Sequence, residues 1–483
     1  MSTYFIENFG CRATDADAAA IRRALADAGL VSAPERDQAD VAVLNSCTVT
    51  AAADAQTREV IRKIHRANPA TRIVVTGCYA QRAPEEIAAL EGVACVVGNG
   101  RQGEIPGVVR QLLALQSASN VNDESNSGRR APDFVLLAQL DTEAMSLARG
   151  PAKILTSDIF AGDGVPIAPV SQASDRTRPI LKIQDGCNNR CSYCVIPLVR
   201  GRSRSMAPDG VVAAAANLVA SGAREVVLSG INLGAYGRDL HPRVNLAVVV
   251  RRILDETPLE RLRFSSIEPQ DITEDFAKLV ASSPRIAPHF HIPLQSGCDR
   301  ILRAMHRWYR TAHYAERIEI VHRLMPHAAI GADVIAGFPG ETAIEFRETM
   351  DFIERLPFSY LHVFSFSARP GTTGASLAAP LDSREIRDRA GTLRALGQAK
   401  ARSFRAAQAG KQMRALTLAR RGEDHTEALT GNYLKVRVAG HRKPNEWCDV
   451  VPSERADDAL EPVNCDAGPS LAAENAPALC AHS

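Results

Sequence analysis

The sequence predicts an α/β protein in three parts: a small parallel α/β domain over residues 1–114, a partial or full βα barrel over 173–402, and a small all-β module over 403–462. Three observations predict it. Short apolar runs alternate with Ala-rich helical stretches up to about residue 114, the same alternation restarts near 173, and beyond 403 β-like runs succeed one another without helices.

In the first part the strands are YFIENF, ADVAVLNS, TRIVVTG and VACVVG. Cys11, Cys47 and Cys78 each stand just past the carboxyl end of a strand, the edge where open α/β sheets build their sites, whereas Cys95 lies inside VACVV and reads as core. Residues 115–172 break the pattern: QSASNVNDESNSGRRAP is polar and reads as an exposed linker, and the rest of that stretch, up to residue 172, has no clear period. The second series has strands at ILKIQ, EVVLSG, RLRFSSI, HFHIPLQ, GADVIAG and YLHVFSF, with an amphipathic helical stretch after each of the first five. A βα barrel carries its site at the carboxyl ends of its strands. The loop after the first of them holds CNNRCSYC, with Cys187, Cys191 and Cys194. In the third part QMRALTLARR, EALTGNYLKVRV and EWCDVVP read as β-strands, and residues 463–483, with Cys465 and Cys480, as a disordered Ala-rich acidic tail.

Composition narrows the chemistry. The N-terminus has no basic segment followed by an apolar one and no run approaches a membrane span, so the expected location is cytoplasmic, with no membrane partner. Eleven cysteines under reducing conditions point to metal ligands, catalytic groups or buried residues rather than a disulfide framework. Three thiols spaced x3 and x2 arise by chance in about six of a thousand chains of this composition. Soft thiolates on one loop can hold three corners of an iron–sulfur cubane and leave the fourth iron open, whereas a structural zinc site needs a fourth ligand nearby, and no Cys or His lies close after Cys194.

Glycines at Gly337 and Gly340 follow an apolar strand and allow close backbone approach to a ligand. Gly230 and Asn232 after the second strand, and Glu268 after the third, lie on the same predicted rim. Arg200, Arg202 and Arg204 come after the cysteine loop in a stretch without acidic residues and are candidate phosphate contacts. From Arg389 to Gly422 there are nine basic residues and no acidic one, a candidate nucleic-acid stripe.

With Tyr193 before its last cysteine, the CNNRCSYC loop resembles the signature of the radical S-adenosylmethionine enzymes. LSGINLGAYG, FSSIEP, HIPLQSG, DVIAGFPGET and FSFSARPGT, after a domain with three strand-end cysteines, resemble the methylthiotransferase branch. RGRSRS and HIPLQSGCDRILRAMHRWY are most similar to the threonylcarbamoyladenosine enzymes, although Cys298 replaces an expected Ser and Phe364-Ser365-Phe366 an expected Phe-Pro-Tyr. The resemblance implies an N-terminal methylthiotransferase domain, a radical SAM core, and a C-terminal TRAM-like β-barrel that binds RNA through Lys411, Arg414, Lys435 and Arg437. It implies two 4Fe-4S clusters, one on Cys11, Cys47 and Cys78 and one on Cys187, Cys191 and Cys194. S-adenosylmethionine would be held by Tyr193, Gly230, Asn232, Glu268, Gly337, Gly340 and Glu341. The expected reaction adds a methylthio group to C2 of N6-threonylcarbamoyladenosine 37 of tRNA, with an electron donor such as flavodoxin or ferredoxin and a sulfur donor as partners. Two alternatives stay open: the same chemistry on isopentenyladenosine, and a non-catalytic iron–sulfur RNA-binding protein.

Overall fold

A computed structural model describes residues 2–36, 38–124, 152–160, 177–377 and 380–452. Six strands open it: β1 (Thr3–Asn8), β2 (Val31–Ser32), β3 (Val41–Ser46), β4 (Arg72–Gly77), β5 (Val93–Val97) and β6 (Lys153–Leu155). They form one parallel sheet in the order β2-β1-β3-β4-β5-β6. Every residue of β3 is buried, as expected of a strand covered on both faces. Alternation along it divides the core: Val41 and Val43 pack with Ile21, Leu25 and Val109 on one face, Ala42 and Leu44 with Ile61, Ile64 and Val75 on the other.

Two features differ from the sequence expectation. The helix Ile105–Glu124 runs past residue 114 into the expected linker, and β6, from inside 115–172, pairs with β5 as the outer strand. A three-residue strand held by backbone pairing is too short to leave a periodic signal. The rest of the 115–172 insert, and the 463–483 tail with Cys465 and Cys480, fall outside the described residues.

The second series contains all six expected strands: β7 (Ile180–Asp185), β9 (Glu225–Gly230), β10 (Arg261–Phe264), β11 (His289–His291), β12 (Ala329–Ala336) and β13 (Tyr360–Ser365), with a two-residue strand β8 (Arg204–Ser205) antiparallel to β7. Sheet pairing joins β7-β9-β10 and β11-β12-β13, and the bridges Leu262↔Ile286 and Ser266↔His291 link the two sets into a partial parallel barrel. Its apolar interior and the faces of helices such as Pro208–Ala220, Leu246–Glu256 and Thr311–Leu324 form one continuous core. Thr342 begins the helix Ala343–Arg355 with a capping box to Glu345.

The chain divides into two units, Met1–Ala401 and Arg402–Ser483. The second contains an antiparallel sheet of β14 (Met413–Arg421), β15 (His425–Thr430), β16 (Lys435–Ala439) and β17 (Trp447–Val450), ordered β16-β15-β14-β17. On β16 the alternation is clean: Val436 and Val438 are buried, Lys435 and Arg437 exposed. Among the described residues no helix is long and apolar enough to cross a membrane.

Candidate functional site

Parallel strands end at a common edge, and that edge brings together the loops of the N-terminal cysteines. Cys11 caps the helix Arg12–Asp27, Cys47 comes directly after β3, and Cys78 begins the helix Cys78–Arg82 directly after β4. Two glycines make the approach possible. A Cβ on Gly10 would lie 2.8 Å from Cys47 Cβ, and one on Gly77, whose φ is +96°, would lie 2.3 Å from the Ser46 carbonyl oxygen. Burial, with Cys78 and Cys11 nearby, pushes the Cys47 thiol up to about 12. Burial also raises Cys78, but Arg200 opposes it, its Nε–H donating to Cys78 Sγ at 3.3 Å. Asn99 Nδ2 points at the same sulfur from 3.7 Å.

The second set stands on the loop after β7. Ser192 fastens the loop to the barrel through its N–H to Met305 O (3.0 Å) and its Oγ to Ala304 O (2.8 Å). Backbone Asn189 N–H donates to Cys187 Sγ at 3.4 Å, Asn232 Nδ2 approaches it at 3.9 Å, and Arg307 Nη1 donates to Cys191 Sγ at 3.3 Å. Arg307 also pairs with Glu268. Burial, reinforced by Cys191 and Cys187, pushes Cys194 up to about 12. Cys47, Cys78, Cys187 and Cys194 therefore favour the thiol until something positive binds the sulfurs, and N–H groups already point at Cys78, Cys187 and Cys191 as they would at ligand thiolates. Of nine cysteines among the described residues, the other three pack into apolar clusters: Cys95 under the sheet, Cys298 beside Ile301 and Phe338, and Cys448 in the C-terminal module.

The remaining expected residues divide. The Asn232 side-chain oxygen is buried without a partner near Cys187, the kind of orphaned acceptor a bound ligand satisfies. Gly230 makes room for Gln184, whose Oε1 accepts from Asn232 N–H at 2.8 Å. Glu341 is turned inward, its carboxylate bound to Arg389 at 2.7 Å and to Gly337 N–H at 3.2 Å, and a Cβ on Gly337 would strike Ile386. Packing alone therefore accounts for Gly337 and Glu341; Gly340, at φ +75°, faces open space.

Arg200 must be corrected as a phosphate contact. It is 2% exposed, and its guanidinium is bound by Asp185 (3.1 Å) and Asp17 (2.7 Å). Arg204 donates to the Arg200 carbonyl, while Arg202 is exposed. In the other unit Lys411, Arg414, Lys435 and Arg437 are all exposed, with Arg414 over the Trp447 ring at 4.3 Å.

A cavity of about 180 Å³ lies beside the cysteine loop. Its walls are Tyr193 to Ile196, Val49 and Thr50 just past Cys47, Asp333 and Ile335 of β12, and Phe364 to Ser367. Asp333 Oδ1 bonds His291 Nε2 at 2.9 Å and lies 3.3 Å from His362 Nδ1; burial raises its carboxyl, but these bonds hold it well below the usual carboxylate range. A larger cleft, about 580 Å³ and bordered by Asp299, Glu348 and Asp351, has none of the expected site residues in its lining. Sequence reasoning missed Asn99, Arg307 and Asp333. Only Asp333 carried a signal, as a charge inside the apolar strand GADVIAG.

The family model described as uncharacterized protein family UPF0004 matches residues 3–98, and that of the radical SAM superfamily matches 181–353. The threonylcarbamoyladenosine tRNA methylthiotransferase MtaB of Aquifex aeolicus is 33% identical over 92% of this chain and 98% of its own length. That of Bacillus subtilis is 34% identical over 91% of both. A tRNA-2-methylthio-N(6)-dimethylallyladenosine synthase of an Arthrobacter species is 32% identical over 92% of this chain and 79% of its own. Among solved structures, the radical S-adenosylmethionine methyltransferase TsrM of Kitasatospora setae, with cobalamin and a 4Fe-4S cluster bound, shares the fold at a TM-score of 0.51 and 16% identity over 78% of each chain.

Proposed function

This chain belongs to the radical S-adenosylmethionine methylthiotransferases, and we propose that it attaches a methylthio group to C2 of N6-threonylcarbamoyladenosine 37 of tRNA, using two 4Fe-4S clusters. The observation that carries the reading is the cavity walled on one side by Cys194 and on another by the residues just past Cys47. A base extruded into it would lie against Cys194 on one side and against Val49 and Thr50, the residues that follow Cys47, on another.

The donor sets fit the clusters in number and softness: Cys187, Cys191 and Cys194 would hold one, Cys11, Cys47 and Cys78 the other. Bound to the first set, a cluster supplies the electron that cleaves S-adenosylmethionine. The chain's own groups do the rest by position. The orphaned Asn232 oxygen would be available to accept from the cofactor's amino group, and Arg307, held by Glu268, keeps a positive charge beside Cys191. Ile335, Phe364 and Phe366 line the cavity with apolar surface that keeps water from a reactive radical. An external electron donor, such as flavodoxin or ferredoxin, and a sulfur donor complete the reaction.

Cys191→Ala should abolish 5′-deoxyadenosine formation by the reconstituted enzyme, and normal production would remove the radical assignment. Cys47→Ala should still form some 5′-deoxyadenosine yet give no methylthiolated nucleoside; full iron content with normal sulfur transfer would contradict it. Mass spectrometry of tRNA nucleosides from a deletion strain identifies the substrate. Loss of the methylthio form of threonylcarbamoyladenosine supports the proposal, and loss of only the isopentenyl form replaces it with the reading that the Arthrobacter relative suggests.

A further inference from the structure

Arg200 closes the short helix Ile196–Arg200, which starts two residues after Cys194, yet its side chain reaches a cysteine of the other set. All three of its guanidinium nitrogens are engaged. Nη1 lies 3.1 Å from both Asp185 oxygens, Nη2 lies 2.7 Å from Asp17 Oδ2, and Nε–H is left aimed at Cys78 Sγ, 3.3 Å away. Lys182 pairs with the same two aspartates, so two cations and two carboxylates share one buried network. The carboxylates come from different parts of the fold, Asp17 from the helix after Cys11 and Asp185 from the end of β7, and together they hold the guanidinium plane in one orientation. Asn99 adds a second N–H on the same sulfur at 3.7 Å while its amide also donates to Val199 O at 2.8 Å. Val195 and Val199 pack against Cys78. The segment leaving one cysteine loop thus covers, and donates hydrogen bonds to, a sulfur of the other set.

We infer that Arg200, assisted by Asn99, is a positioning residue that raises the reduction potential of the N-terminal cluster and ties that cluster to the radical SAM loop. The inference rests on the reading that Cys11, Cys47 and Cys78 hold a cluster. Hydrogen bonds to cluster sulfurs stabilise the added electron of the reduced state, and they act strongly where water is excluded. Arginine suits the task because it cannot shed its proton.

The test uses the full chain with its clusters reconstituted, comparing wild type with Asn99→Ala, Arg200→Lys and Arg200→Gln. Iron and sulfide are counted first, and each cluster's potential is then tracked by electron paramagnetic resonance during a redox titration. The radical cluster is recognised by its response to added S-adenosylmethionine, the other by its absence in Cys47→Ala. The expected result is two clusters per chain, with the N-terminal potential shifted negative in Asn99→Ala and further in Arg200→Gln, and the radical cluster's potential unmoved. Arg200→Lys, which keeps the charge but loses the fixed fork, should fall between wild type and Arg200→Gln. Should the Arg200 variants fail to fold, Asn99→Ala carries the same readout. Two clusters with N-terminal potentials superimposable on wild type in every variant that folds overturn the inference alone; a wild type with only one cluster overturns the two-cluster reading with it.

Discussion

Glu225 opens β9 fully buried, with Arg263 Nε at 2.7 Å, Arg261 Nε at 2.5 Å and Arg178 at 3.4 Å. Burial pushes its carboxyl up, but Arg263 and Arg261 prevail and hold it down at about 2. For Arg261 the balance runs the other way: burial outweighs Glu225 and brings it to about 10, still charged at neutral pH. Because the folded value of Glu225 lies below the ordinary glutamate value of about 4.3, its stabilisation is complete above that pH and is lost as pH falls toward about 2. Glu225→Gln leaves buried guanidinium charge without its counter-ion, which costs about 3–5 kcal/mol in comparable pairs. Urea denaturation at pH 7 should show a lower midpoint for the variant and convergence with wild type as the solution is acidified. A variant within about 0.5 kcal/mol of wild type at pH 7 contradicts this account.

At the level of elements, the strand ends decide where the thiols meet. Gly77 occupies a backbone region open almost only to glycine (φ +96°, ψ −164°), with the Ser46 backbone against it. Gly77→Ala should therefore cost about 1–3 kcal/mol in strain and displace Cys78. Iron and sulfide analysis should find the N-terminal cluster lost while S-adenosylmethionine still changes the spectrum of the other; full occupancy of both would show that β4 tolerates the side chain. These elements also show what a sequence reveals. The long apolar strands are legible because burial on both faces writes an unbroken run, and the CNNRCSYC loop because its three cysteines fall within eight residues, 187–194. Arg200 misleads because basic residues after a loop look alike whether they face solvent or fold back onto Asp17, 183 positions away in sequence. The contacts of Arg307 with Cys191 and of Asn99 with Val199 join residues at least 100 positions apart, and β6 shows only in its pairing with β5.

On the scale of the whole molecule, the six candidate cluster cysteines belong to the unit Met1–Ala401 and the four candidate phosphate contacts to Arg402–Ser483, so each set can be substituted without touching the other. If Lys411, Arg414, Lys435 and Arg437 contact phosphates, each releases condensed counterions, and the slope of log affinity against log salt reports how many act, at about 0.7 to 0.9 per phosphate. The four are not equivalent. Arg414 stands opposite Asp449 across β14 and β17, and Arg437 opposite Glu427 across β16 and β15, so each has an acidic neighbour on its own face. Lys411 and Lys435 should therefore carry most of the effect, and replacing all four with Ala should flatten the slope by about 1.5 rather than by about 3. Affinity should fall about equally for modified and unmodified tRNA, because phosphates carry no information about base 37. RNA-independent cleavage of S-adenosylmethionine should persist. Titrations of wild type and the fourfold variant at several salt concentrations measure the slope directly: superimposable curves would remove this sheet from the binding surface, and a loss confined to modified tRNA would mean that it reads the base rather than the backbone.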